Sequence, residues 1–454
     1  MKNFCVVWLL VALLGLVAGC TKPQTEPTQT EKPINAGAFY ASAKKATESA
    51  ENLMLDYTLE ETRTVGENTF TKQVTGRASY QGYAQDGMQA KVEETLDFGY
   101  YRCSYGEFYY GDKAYATVND SYFWANQSPE AFVSRQIPPA LLTPALYDTI
   151  TYGENADMIL FSGPRYLEAW VGEGQLLEAS GQAEFNNHGQ LLQTTYEAKY
   201  RKGTAEYSLS VTVRVSVPEQ MDLGGIQDTQ GRIGVWLSDL DTPCRLVQVV
   251  ADVYCAQSVT CQLTETITSE AVPLSYERNS HISFLGRGNS LTAAVLNDSK
   301  LSNNRGVITE SSQRERFENQ IYQVSVNGSD PVQNGSVTAD SMRQYCEDTV
   351  LSGLLAVKYL QDASVQTEGN LLRLELGGST AFREMMTLHL KDVLQVDLDV
   401  LAESAENHKA GGYLTVDLQT GLPVAMGMYM EKSHTIDGVT YGLNYRLEET
   451  LTFS

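Results

Sequence analysis

From Ala205 to Val217 the sequence alternates without a break. Ala205, Tyr207, Leu209, Val211, Val213, Val215 and Val217 fall on one side, and Glu206, Ser208, Ser210, Thr212, Arg214 and Ser216 on the other. Strand side chains point to opposite faces with a period of two, so this segment reads as a long strand with one apolar and one wetted face. That pattern belongs to an antiparallel sheet, because parallel sheets bury both faces. The last segment of the chain repeats it, with Leu443, Tyr445, Leu447, Leu451 and Phe453 on one face.

Along the chain the order of elements leading to such a strand runs twice. In the first half Asn35 caps a helix over Gly37–Asn52, with Phe39, Ala43, Ala46 and Ala50 at helical spacing. Strand patterns follow at Leu53–Arg63, Phe70–Tyr80, Met88–Leu96, Tyr100–Tyr105 and Phe108–Val118, the last turning at Asn119-Asp120 into Tyr122–Ala125. Ser128-Pro129 opens a helical stretch to Leu146 that prolines interrupt, and Met158–Phe161 precedes an amphipathic segment at Arg165–Leu177. Strands at Gly181–Phe185, Leu191–Tyr200 and Ala205–Val217 close the half. In the second half a helix from Thr242-Pro243 to Cys255 leads into a strand at Val259–Thr268. Leu59-Glu60-Glu61-Thr62 recurs as Leu263-Thr264-Glu265-Thr266, 204 positions on, and Val118-Asn119-Asp120 as Val326-Asn327-Gly328, at 208. The cap Ser128 matches Thr338 at 210, and Lys202-Gly203 matches Asp437-Gly438 at 235. Offsets that drift in one direction fit a tandem duplication whose second copy has longer loops. The expected division is a domain over 36–218, a Gly- and Asp-rich linker over 219–231, and a second domain over 232–454.

One local motif carries a family likeness. Gly412-Tyr413-Leu414-Thr415-Val416-Asp417-Leu418-Gln419-Thr420-Gly421-Leu422-Pro423 resembles the strand–turn–strand of the LolA/LppX-like lipoproteins. The first half, at Glu184–Leu191, lacks the Asp, Thr and Pro of that motif. The resemblance implies an α+β fold of two tandem curved antiparallel half-barrels, each packed on a few helices around an apolar cavity. Apolar helical residues beneath the sheets are then the candidate lining for a hydrophobic, lipid-like ligand. They are Phe132, Leu141, Leu142, Leu146 and Trp170 in the first half, and Leu354, Leu355, Phe382, Met385 and Met386 in the second. The same residues would equally well pack an ordinary core.

The beginning of the chain gives an address. Lys2 precedes a run from Phe4 to Val17 that is almost purely apolar, too short to span a bilayer of ~30 Å but suited to a secretory signal. It closes on Leu16-Val17-Ala18-Gly19-Cys20, which resembles a bacterial lipobox. By that resemblance residues 1–19 are removed, Cys20 carries a diacylglycerol anchor and palmitate-type acylation, and the protein is held outside the cell membrane. Residues 20–35, with three prolines in Thr21–Pro33, read as a tether. Cys103, Cys244, Cys255, Cys261 and Cys346 remain without a C-x-x-C; Cys255 and Cys261 could pair, but buried free thiols are the simpler reading.

With 33 Lys+Arg against 56 Asp+Glu the net charge is −23, which argues against nucleic acid as a partner. No G-x-S-x-G, H-E-x-x-H, phosphate loop or calcium loop occurs, and the five His fall on separate elements. His389, on an otherwise apolar helical face, reads as a satisfied core or boundary residue. No enzyme, cofactor or metal is expected. The expected function is a membrane-tethered carrier or sensor of a hydrophobic ligand. The alternative is a non-enzymatic interaction module that engages a protein or cell-wall polymer through Tyr80, Tyr83, Tyr100, Tyr101, Tyr105, Tyr109, Tyr110, Tyr115 and Tyr122. Oligomeric state is not legible.

Overall fold

The computed structural model describes residues 35–135, 143–155, 157–164, 174–224, 234–238, 240–270, 273–394, 407–436 and 439–453. The signal segment, Cys20, the tether to residue 34, Leu141, Leu142 and Trp170 lie outside the described residues, as does the greater part of the expected linker.

The first half begins with helix α1 (Ala36–Glu48) and strands β1 (Asn52–Val65), β2 (Asn68–Gln81), β3 (Gln89–Asp97), β4 (Arg102–Tyr110), β5 (Lys113–Val118) and β6 (Ser121–Asn126). Helix α2 (Pro129–Arg135), a 3-10 turn (Pro144–Leu146) and strands β7 (Tyr147–Tyr152), β8 (Met158–Pro164), β9 (Gln175–Phe185), β10 (Leu191–Lys202) and β11 (Ala205–Ser216) complete it. After β12 (Val235–Trp236) comes the second half, with α3 (Asp241–Cys255), β13 (Ser258–Ser269), β14 (Leu274–Leu285), β15 (Thr292–Asn303), β16 (Gly306–Glu318), β17 (Ile321–Val326) and β18 (Val332–Gln333). Helix α4 (Ala339–Val350), β19 (Leu360–Glu368), β20 (Leu371–Gly378), α5 (Thr380–Leu394), β21 (Asn407–Asp417), β22 (Pro423–Ile436) and β23 (Val439–Phe453) end the chain.

Two open sheets result, with the same strand order. The first runs β6-β5-β4-β3-β2-β1-β11-β10-β9-β8-β7 and the second β18-β17-β16-β15-β14-β13-β23-β22-β21-β20-β19. The expected fold class therefore holds: two tandem antiparallel sheets, each with a few helices against its apolar face. In both, the first long strand pairs with the last, Leu59 opposite Val211 and Leu263 opposite Glu449. The alternation of β11 suits this pairing, since Val211, Val213 and Val215 are buried on the covered face.

The covers are pinned at matching places. Glu107 of β4 is buried and takes Arg135 Nη2 of α2 at 2.5 Å. At an offset of 208, buried Glu315 of β16 takes the Tyr345 hydroxyl of α4 at 3.1 Å. A buried strand carboxylate that anchors a helix costs several kcal/mol to strip of its donor, so each fixes where its helix sits. Thr338 and Ser341 cap α4 reciprocally, at 3.0 and 3.2 Å between side chain and backbone, a device worth about 1 kcal/mol.

Several expected elements change. Phe108–Val118 is two strands, because Gly111 and Asp112 both take positive φ (+57° and +59°) in the two-residue turn that a right-twisted hairpin prefers. The helical stretch from Pro129 stops at Arg135 as a described helix, and a strand, β7, begins at Tyr147. Leu176 and Leu177, expected on an amphipathic helix, lie in β9, where Leu176 pairs opposite Tyr200; two adjacent leucines fit either period, and the neighbouring strand decides. Val217 lies past the end of β11 and is 54% exposed.

The halves interlock. Val235 and Trp236 add to the first sheet in parallel beside Phe123 and Trp124 of β6. The turn of the Gly412–Pro423 motif packs on the first half: Thr204 N donates to Gln419 O at 3.0 Å. A Cβ on Gly203 (φ +57°) would stand 2.3 Å from the Gln419 backbone, so only glycine fits that contact.

Candidate functional site

The sequence-derived lining residues divide into two groups. Phe132 is buried with its ring 5.2 Å from Tyr109, and Phe382 is buried with its ring 6.1 Å from Tyr359. Met386 is buried, while Met385 and Leu146 are half-buried against the same core. These side chains fill space beneath the sheets. Leu354 and Leu355 do something different, for they border a groove at the seam between the halves.

That seam is built around α3. Residues 246, 247 and 250 lie on one side of this helix and residues 248, 251, 252 and 255 on nearly the opposite side, as a 3.6-residue repeat requires. Leu246, Val247 and Val250 face a groove of about 270 Å³, together with Leu354, Leu355 and Val357 from the second half and Tyr101 and Val118 from the first. Asn119, Asp120, Ser121 and Lys358 bring polar groups to its lining. A 3-10 turn over Leu351–Gly353 and another over Val357–Tyr359 place Leu354 and Leu355 there.

The other flank is polar. Gln248, Ala251, Asp252 and Cys255 border a cleft of about 200 Å³ with Glu61 and Arg63 of β1, Phe70, Thr71 and Lys72 of β2, Phe98, and Tyr207 of β11. Arg63 Nη2 reaches Asp252 Oδ1 at 2.5 Å, and its Nη1 donates to Gly421 O at 2.9 Å. Its guanidinium also lies over the Phe70 ring, 4.6 Å from the centroid. Burial lowers the Arg63 pKa, but the Asp252 carboxylate outweighs it and leaves the group raised and charged. Burial likewise raises Asp252, against the pull of Arg63 and Gln248.

Elsewhere the buried polar groups are structural. His389 Nε2 lies 2.7 Å from Glu265 Oε1, which makes it the satisfied boundary residue expected, and Arg278 Nε is 2.9 Å from Oε2. Burial would raise Glu265, yet the His389 hydrogen bond and Arg278 bring it below the usual carboxylate range. Cys103, Cys244, Cys255, Cys261 and Cys346 are all free thiols. Burial pushes Cys244 and Cys346 up to about 12, far from the thiolate a nucleophile needs. Among the described residues no group of three or more His, Cys, Asp or Glu could hold a metal ion, and no helix is long and apolar enough to cross a membrane.

Arg63 and Asp252 escape sequence reasoning because they are 189 residues apart. The available signal is a charge in an apolar register. Glu61 and Arg63 continue the face that carries Leu55, Tyr57 and Leu59.

No family model matches the chain, and neither does any curated protein. Among solved structures, the chain is similar to LprF from Mycobacterium bovis, with 12% identity over 47% of this chain and 92% of that chain, at a TM-score of 0.25. A DUF1329 family protein from Desulfovibrio piger matches over 47% of this chain and 91% of its own at 10% identity and a TM-score of 0.16. The MucA/MucB complex of Pseudomonas aeruginosa matches over 92% of this chain and 99% of its own at 6% identity and a TM-score of 0.20. The architecture of the chain is defined by its own strand order.

Proposed function

We propose that this chain is a non-enzymatic lipoprotein of the cell envelope, tethered by an acylated Cys20, whose seam groove takes an apolar chain such as the acyl tail of a lipid. The observation that carries the reading is the groove itself. Val118, Leu246, Val247, Val250, Leu354, Leu355 and Val357 converge there, from both halves. At about 270 Å³ it lies just below the ~300–1,000 Å³ of ordinary small-molecule sites, which suits one acyl segment better than a ring system. Transfer of each methylene from water is worth ~0.8 kcal/mol, so even a partly inserted tail binds usefully.

Titration of the full chain with a fluorescent fatty acid tests this. Saturable binding is expected, and filling the groove with Val247→Trp or Leu355→Trp should weaken it at least tenfold. Absent binding, or binding that both substitutions leave unchanged, would refute the carrier reading in favour of the Tyr-rich interaction surface. The anchor has a separate test: Cys20→Ser should move the protein from the membrane to the soluble fraction after cell fractionation.

A further inference from the structure

The polar cleft on the opposite flank of α3 shares no lining residue with the apolar groove. Its charges are balanced two against two, Arg63 and Lys72 against Glu61 and Asp252. Arg63 is committed to Asp252 and Gly421, Glu61 Oε2 accepts from the Tyr200 hydroxyl at 3.3 Å, and Cys255 Sγ donates to Phe98 O at 2.9 Å, but these bonds leave polar capacity in the cleft unused. Asp252 takes both Arg63 and Gln248 on Oδ1, whereas its Oδ2 is buried and has no hydrogen-bond partner. Asp252 is only 1% exposed. Lys72 enters no salt bridge among the described residues. Leaving a buried carboxylate oxygen bare costs about 1–3 kcal/mol, so a donor at this place has a strong thermodynamic reason to bind.

We propose that this cleft binds a free α-amino acid, or another small zwitterion of that size. The ammonium is taken by Glu61 and, once a turn of its carboxylate brings the bare oxygen to the cleft, by Asp252; the carboxylate is taken by Lys72, and the side chain lies against Phe70 and Phe98. A plain cation would satisfy Asp252 but would be repelled by Lys72. A plain anion would suit Lys72 but would meet Glu61 and leave Oδ2 bare. Only a ligand with both charges, a few bonds apart, answers the whole lining. The size agrees: about 200 Å³ is the share of roughly seven waters at ~30 Å³ each, comparable to a small or medium amino acid. The cleft needs both halves, since β1, β2 and β11 supply one wall and α3 the other. Ligand binding would therefore also tighten the seam.

Calorimetric titration of the full chain with each of the twenty protein amino acids, one at a time, tests the inference. At least one is expected to bind saturably and to raise the thermal midpoint. Its carboxamide and its N-acetyl derivative should each bind at least tenfold more weakly, because each removes one of the two charges. Lys72→Met, which keeps the aliphatic stem, should reproduce the carboxamide effect. Glu61→Gln should weaken the amino acid severalfold, while Val247→Trp, on the other flank, should leave it unchanged. If none of the twenty binds, or if the best binder is indifferent to amidation, to N-acetylation or to Lys72→Met, the inference is overturned. The two derivatives act on the unaltered protein, so the result does not depend on a variant folding. Failure here leaves the fatty-acid titration untouched.

Discussion

Arg63→Ala is expected to destabilise the chain by about 3–5 kcal/mol, the usual cost of leaving one member of a buried ion pair alone. The Arg63 and Asp252 side chains are 8% and 1% exposed, so water cannot replace the lost guanidinium. Two further links go with it, the hydrogen bond to Gly421 O and the contact over the Phe70 ring. The two hydrogen-bonded links join β1 to α3 and to the Gly412–Pro423 turn, while the Phe70 contact holds the guanidinium against β2, and the damage should centre on the seam. The pH dependence has a definite sign. Burial already raises Asp252, and without Arg63 it rises further, so the folded variant holds a proton that the unfolded chain releases above a pKa of ~3.9. Stability of the variant is then best at low pH and falls as pH rises toward the folded pKa. Thermal unfolding of wild type and variant at pH 5 and pH 8 should show the larger gap at pH 8. The double change Arg63→Met with Asp252→Leu removes both charges and should recover most of the loss. A single variant within 1 kcal/mol of wild type at both pH values would show that the pair does not hold the seam.

Much of this molecule is readable from alternation, because a strand with a wetted face announces which side is covered. Ala205–Ser216 and Val439–Phe453 pair with the first long strand of each sheet, as wetted-face strands should. Short segments mislead for a physical reason: Leu176-Leu177 has no period of its own, and Gly111-Asp112 looks like a gap in a strand until its positive φ makes it a turn. The seam is a different matter. Leu354 and Leu355 are legible as apolar residues, yet nothing local says that they face the first half rather than a core beneath the second. Arg63 and Asp252 are legible only as misfits, charges placed where the pattern calls for apolar side chains. Such misfits mark functional or joining surfaces more often than they mark error, since each has to be compensated by something distant in sequence.

Glu449 is the misfit with the largest expected pH effect. It sits in β23 on the face of Leu443, Tyr445, Leu447 and Leu451, opposite Leu263, where the first half has Val211 opposite Leu59. Ser352 Oγ donates to its Oε1 at 3.0 Å and the Gly353 backbone and the more distant Arg278 also favour its charge, but among the described residues it forms no salt bridge of the kind Arg278 makes with Glu265. Burial, only partly offset by these groups, pushes its pKa up to about 8. The unfolded carboxyl ionises near ~4.3, so between that value and about 8 the folded chain keeps a proton that the unfolded chain has lost. Raised acid pKa means stability that is intact at low pH and lost as pH rises through this window. At ~1.4 kcal/mol per pH unit the loss approaches roughly 5 kcal/mol as an upper bound. Glu449→Gln, which keeps the shape and a hydrogen-bonding group, should abolish this contribution. Wild type and variant are expected to have similar thermal midpoints at pH 4.5, with the variant clearly higher at pH 8.5. Because Asp252, Glu94 and Glu347 are raised by burial too and slope the same way, the decisive quantity is the difference between the two proteins across pH, not the slope of either alone. A difference that stays flat from pH 4.5 to 8.5 would mean that Glu449 is ionised in the folded chain and is paired by a group other than Ser352.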